Sequence, residues 1–238
     1  MNEKNFVINS AIMKEHDDAI HLGDKVRITD PCYNMDTWCA GTLENVLPGV
    51  YRCFSYREPS EGRIAGIEIR NIAFFDVEPT EITDIDVGVD SGQCGIFDLE
   101  YFKKNSNKDD NGPNSAWYNM IGHLTFKQTK NPMYKRFSES SIGKGFSCCD
   151  YSLERIAAEE KFMRTDEAFA FICELAAASV EGMGFVSSSG YGDGSYTCII
   201  GRNPAGQIVS ILIVYISSDE DEIIDDTDEG LTVSEKET

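Results

Sequence analysis

The sequence predicts an α+β domain: a mainly antiparallel sheet, barrel- or sandwich-like, that carries two or three helices. Three observations support this expectation. Short runs rich in β-branched and aromatic residues fill the first hundred residues and the last third, bounded by Gly, Pro, Asn or Asp. One segment, 165–182, has helical character with start and stop residues in place. A chain of 238 residues can bury a sizeable core, and its apolar content is that of a folded globule.

The elements follow in chain order. "DKVRITD" (24–30) alternates apolar and polar residues and stops at Pro31, where the chain must turn. "DTWCAGTLENV" (36–46) is expected as a short helix with Asp36 as its N-cap. "GVYRCFSYRE" (49–58) and "GRIAGIEIRNIAFFDVE" (62–78) read as strands, joined through the Pro, Ser and Gly of "EPSEG". "IDVGVDSGQCGIFDL" (85–99) reads as two strands hinged at Ser91-Gly92.

"LEYFKK" (99–104) is short enough for one or two helical turns, and "NSNKDDNGPNS" (105–115) is a polar loop by composition. "SAWYNMIGHLTFK" (115–127) fits a helix capped by Ser115. In "TDEAFAFICELAAASVEG" (165–182), Thr165 is the cap, Asp166 and Glu167 suit the dipole of the first turn, and Gly182 is the stop. Three strands close the pattern: "GFVSSSG" (184–190), "GSYTCIIGR" (194–202) and "QIVSILIVYI" (207–216), the last two joined at "NPAG". The final strand is apolar on both faces, which places it centrally in a sheet. The expected organisation is one globular domain over 1–216, followed by an acidic, disordered tail over 217–238.

The formal net charge of −20 argues against direct nucleic-acid binding, which needs a basic surface to neutralise phosphate. The tail holds ten acids against one lysine, so −9 of that charge is its own. A basic cluster at Lys127, Lys130, Lys135, Arg136 and Lys144 reads first as solvated surface. The opening "MNEKNFVINS" lacks the basic start and apolar stretch of a signal peptide, and no apolar run approaches the roughly 20 residues of a membrane helix. The expectation is a cytoplasmic protein without membrane partners. Eight cysteines at irregular spacing, with no CxxC pair, read as reduced apolar residues.

Candidate chemistry gathers in "ITDPCY", "GVDSGQCGIFD" and "GYGDGSY", each with a carboxylate at the end of an apolar strand beside Gly or Pro. Strand ends are where a rigid sheet presents accessible loops. The ligand-binding candidates are Asp30, Tyr33, Asp90, Ser91, Gln93, Asp193 and Tyr196. Asp30, Asp90, Asp98 and Asp193 form a second set, able to hold Mg²⁺ or Ca²⁺ if the strand ends converge. Each also has an ordinary reading. Asp before Pro makes an Asx-turn, Asp-Ser-Gly is tight-turn chemistry, Asp98 is placed to cap "LEYF", and Gly-Asp-Gly between strands is a hairpin turn. A Cys-His pairing of Cys32 or Cys94 with His123 has no motif behind it, and neither a P-loop nor a GxGxxG is present.

The order "DPCY", "VDSGQ…IFD" and "SSSGYGDGSY" resembles an uncharacterised family of bacterial and phage proteins catalogued only as a domain of unknown function. The resemblance spans roughly residues 22 to 215 and rests on Asp30, Pro31, Asp90, Gly92, Asp98, Gly192, Asp193, Gly194 and Tyr196. The chain departs from that pattern in its polar insert at 104–114 and its acidic tail. The resemblance implies a bacterial or phage setting and one recurring arrangement of the three turns, with no activity to transfer. The expected function is a binding or interaction protein that holds a protein or small-molecule partner, with no cofactor. The alternative is a metal-assisted hydrolase using the clustered aspartates.

Overall fold

In the computed structural model, which describes residues 11–59, 63–102 and 177–217, the two longest β-rich runs pair first. β5 (Gly49–Arg57) and β6 (Ile64–Asn71) form an antiparallel ladder. Ile67 and Ile69 of β6 are fully buried, as are Cys53 and Ser55 of β5. β6 ends where the Asn71 side chain accepts from Ala73 N at 2.9 Å, starting a single 3-10 turn at Ile72–Phe74. The expected strand therefore stops short of residue 78.

β12 (Ile208–Val214) lies on the other side of β6 and is buried along its whole length, as its two apolar faces predicted. β11 (Gly194–Arg202) pairs with β12 across the 203–206 turn, and β7 (Glu81–Val89) completes that side. In the turn, Asn203 Oδ1 accepts from Ala205 N and Gln207 N. The opposite edge of β5 carries β1 (Ile12–Glu15) and β2 (Ile20–Leu22) end to end. The result is a seven-stranded sheet.

The second sheet has five strands, in the order β4-β3-β8-β10-β9: β4 (Gly41–Glu44), β3 (Lys25–Thr29), β8 (Gln93–Asp98), β10 (Gly184–Ser188) and β9 (Ala177–Val180). One apolar cluster draws on both sheets, including Ile28, Ile96 and Phe185 from the smaller and Ile67, Ile200 and Ile211 from the larger. Such shared burial is the main stabilising term of a β-sandwich. Both margins are partly stitched. Gly88 N of β7 donates to Cys39 O at 2.8 Å, and His21 N of β2 donates to Gly182 O at 2.7 Å. The ladders among the described strands are antiparallel, with one isolated parallel bridge between Val46 and Ile208.

The α+β expectation is corrected: the described residues form twelve strands, the 3-10 turn and no α-helix, an all-β sandwich. Residues 36–46 are a turn followed by β4. Asn34 Oδ1 takes Asp36 N and Thr37 Oγ1, an Asx-turn where a helix cap had been expected. The C-terminal end of the expected 165–182 helix is β9. Glu181 (φ 48°) and Gly182 (φ 68°) form a tight turn, with Met183 N bonded to Val180 O at 2.9 Å. Positive φ at both central residues is the geometry of a hairpin turn, not of a helix stop. "LEYFKK" keeps one turn, with Phe102 N on Asp98 O. The expected helix at 115–127, the rest of 165–182, the basic cluster, His123 and the acidic tail beyond Ser217 lie outside the described residues. Among the described residues no helix is long and apolar enough to cross a membrane.

The β7 margin yields a testable consequence. A Cβ added at Gly88 would sit 2.6 Å from Cys39 Sγ and 2.8 Å from Cys39 Cβ. Gly88→Ala should therefore cost about 1–3 kcal/mol through overpacking. Cys39→Ala in the same chain should recover part of it, read as a non-additive double-mutant cycle in urea unfolding.

Candidate functional site

The site is built at the end of the sandwich where the chain twice changes sheets. β7 belongs to the larger sheet and β8 to the smaller, so Asp90–Gly92 carries the chain from one to the other. β10 belongs to the smaller sheet and β11 to the larger, so Ser189–Asp193 carries it back. The Gly-Asp-Gly loop is thus a crossover between sheets, and the hairpin reading fails because β10 and β11 do not pair. The 30–40 loop leaves β3 at the same end, since Thr29 pairs with Gly95 near the start of β8.

Asp30 ties the first two loops together. Its side chain is fully buried. Oδ1 accepts from Cys32 N at 2.7 Å and from Ser91 Oγ at 2.7 Å. Oδ2 accepts from Asp90 N at 3.0 Å and from Ser91 N at 2.8 Å. The Cys32 bond is the local Asx-turn that Asp-Pro predicts. The other three reach across sixty residues of chain. Burial pushes the Asp30 carboxyl up, opposed by the bonds from Cys32 and Ser91. The ionised form is the one that satisfies all four donors, because a carboxylate offers about four acceptor positions and no proton to clash with them.

The third loop docks on the second. Ser189 N donates to Gly92 O at 3.1 Å, and a Cβ built at Gly92 would lie 4.0 Å from Gly192 Cα. Gly190 and Gly192 adopt φ of 57° and 112°, which glycine alone accepts at little cost. Tyr196 closes the loop: its hydroxyl lies 2.7 Å from Gly192 O and 2.9 Å from Ser189 O. Its ring meets Tyr215 edge-on at 5.1 Å between centroids.

The predicted residues therefore divide. Asp30, Ser91 and Tyr196 are brought together as parts of one clamp, and Gln93 is buried at the start of β8 opposite Ser188. Tyr33 is buried with Cys32 and Cys39. Burial first, then hydrogen bonds with Asp90 and Cys39, raise its phenol far above the ordinary range. Asp90 and Asp193 are exposed on the two crossovers.

Asp98 is not part of the group. It sits at the far end of β8, opposite Val26, about 16 Å along the strand from Gln93 at about 3.3 Å per residue. There it does what a capping residue does: Oδ1 accepts from Tyr101 N at 3.1 Å and Oδ2 from Gly23 N at 2.7 Å. Metal ligands must lie within 2.0–2.6 Å of one ion, so a four-aspartate centre is not assembled. Among the described residues no group of three or more His, Cys, Asp or Glu side chains is placed to hold a metal. The thiols offer no activated nucleophile here either. Cys32 and Cys94 are buried, and desolvation raises both well above the usual thiol value.

Two features escaped the sequence. Trp38, read as part of a helix, is one: it is 86% exposed on the 30–40 loop, and Tyr191, an aromatic that the sequence already sets beside the glycine turn, is 62% exposed at the tip of the third loop. The Arg63 guanidinium lies over the Tyr191 ring, 4.8 Å from its centroid. Only the tripeptide "TWC" within a turn-forming stretch signalled Trp38, and an indole in sequence argues for burial rather than exposure. His16 is the other. Its Nε2 is 2.9 Å from Ser55 Oγ and its ring meets Phe185 edge-on, between β1 and β2. Burial, reinforced by Lys14 and Arg57, lowers it to about 3. The adjoining cleft of about 340 Å³ is lined by Glu15, Asp17, Asp18 and Arg52, with Arg52 ion-paired to Glu15.

Against this geometry, the family model described as "Protein of unknown function (DUF4241)" matches residues 53–213, more than half of the chain. The chain belongs to this family. The match contains both crossover loops of the DUF4241 domain and begins after the Asp30-Pro31 turn, so it covers less of the N-terminal side than the span from residue 22. No curated protein and no solved structure matches the chain.

Proposed function

We propose that this DUF4241 protein is a binding module whose recognition surface is the loop end of the sandwich. One observation carries the reading: three loops are clamped into a single platform while two large aromatic side chains on it stay in solvent. Trp38 and Tyr191 are 86% and 62% exposed on backbone held by Asp30, Asn34, Gly92 and Tyr196. Aromatic residues held rigidly at a surface are the side chains that anchor protein interfaces, because they bury much area at small entropic cost. Loops clustered at one end of a sandwich are a common place for recognition, since the sheets fix their spacing. This reading is favoured over a metal-assisted hydrolase because Asp30 has no acceptor position left and Asp98 lies at the opposite end.

Site-specific photo-crosslinking checks it. A crosslinking phenylalanine derivative at position 38 or 191 should capture a partner in cells, and the same group at exposed Ile72 should not. Capture only at Ile72, or at Ile12 and Met13 of the β1 edge, would overturn the reading.

A further inference from the structure

Beyond the position of the surface, its chemistry selects a partner, and we infer that the loop end binds a basic polypeptide segment rich in arginine or lysine. This rests on the binding reading above. The exposed charged side chains carried by the three loops are carboxylates: Asp36 beside Trp38, Asp90 on the first crossover and Asp193 on the second. The backbone segments that carry them adjoin one another. Cys39, next to Trp38, is bonded to Gly88, two residues from Asp90, and Gly192, next to Asp193, packs on Gly92.

Two cations face these loops among the described residues: Arg27, buried beneath the 30–40 loop with its guanidinium 2.9 Å from Met35 O and interacting with Asp36, and Arg63, whose guanidinium lies over Tyr191 with one nitrogen 3.4 Å from Gly190 O. The ring thus takes a planar cation in the pose that cation–π attraction favours. Trp38 presents the stronger π-face of the two and is the more exposed. A chain of formal charge −20 also steers cationic partners toward itself over distances comparable to the Debye length. Indole and phenol faces on the same loops as three exposed carboxylates fit guanidinium and ammonium side chains better than an anionic or purely apolar partner.

The test uses the full chain and four fluorescent nine-residue peptides, alternating Gly with Arg, Lys, Gln or Glu, followed by anisotropy. The Arg and Lys peptides should bind, more weakly as salt rises, and the Gln and Glu peptides should not. Trp38→Ala, and separately the Asp90→Asn/Asp193→Asn pair, should each weaken Arg-peptide binding about tenfold or more, as loss of an interface anchor does. Asn at 90 retains an acceptor for Tyr33, so the platform is kept. Neutralising Asp219 and Asp221 in the tail should change that affinity less than twofold, given that screened surface charges act weakly. Arg-peptide affinity that falls only with the tail changes overturns the inference. A Gln peptide that binds equally well and is lost with Trp38→Ala also overturns it, while leaving loop-end binding intact. Failure of every peptide to respond to the loop variants, with no crosslink at 38 or 191, removes both.

Discussion

Asp30→Ala should be the most damaging single substitution among the predicted site residues, lowering stability by roughly 4 kcal/mol in urea unfolding. Four donors converge on this carboxylate, three backbone N–H groups and the Ser91 hydroxyl, and its removal strips all four of their partner, the Cys32 N–H in a buried position and the other three in partly buried ones. Each buried donor left unpaired costs about 1–3 kcal/mol, and hydrogen bonds to a charged group are the stronger kind. Domains of this size have about 5–15 kcal/mol in total, so the loss approaches global unfolding. Asp30→Asn should be nearly as costly, because its amide would place two donors against donors. Ser91→Ala removes one of the four bonds and should cost about 1 kcal/mol. Asp30→Ala with unchanged stability would mean that the crossovers are held without the carboxylate.

The second large effect depends on pH and involves His16. In the folded chain His16 stays neutral down to about 3, against an ordinary value of 6.5 when unfolded. Below 6.5 the unfolded chain therefore binds a proton that the folded chain refuses. The stabilising contribution is complete above that pH and is lost as pH falls toward 3, by about 1.4 kcal/mol per pH unit. At pH 5 the penalty is about 2 kcal/mol. His16→Gln keeps a polar group near Ser55 Oγ and does not titrate, so its stability should fall less than that of the natural chain between pH 7.5 and pH 5. Urea midpoints at the two pH values give the comparison, with the carboxylates common to both chains cancelling. Parallel losses would show that His16 is protonated in the folded state.

Much of the sheet was legible because a strand's pattern is local. Residues 194–202 were read as a strand and form β11 over the same bounds, and the doubly apolar 207–216 became the central β12. The misreadings have a specific cause. "FAFICELAAASV" satisfies a helical period, yet its last residues, Ala177–Val180, lie against Gly184–Ser187 of β10, reached by the Glu181-Gly182 turn. Edge pairing outweighed a propensity that differs among ordinary residues by less than 1 kcal/mol each. At 36–46 the Asn34 side chain organised a turn, and pairing with β3 took Gly41–Glu44 into the sheet.

The site divides along the same line. By itself the sequence determined that 30–33, 90–92 and 191–193 are turns, because Asp-Pro, Asp-Ser-Gly and Gly-Asp-Gly act within a few residues. It also determined the Asp30–Cys32 bond, an interaction between near neighbours. Only the tertiary structure decided that the turns meet, that Asp30 spends its second oxygen on Asp90 and Ser91, and that Asp98 faces the other end. It also decided that "SSSGYGDGSY" joins two sheets and leaves Tyr191 in solvent, with Trp38 exposed on the loop beside it. Turn chemistry is set by the residues of the turn. Which turns touch is set by strand order and sheet packing, which depend on pairings between residues far apart in the chain.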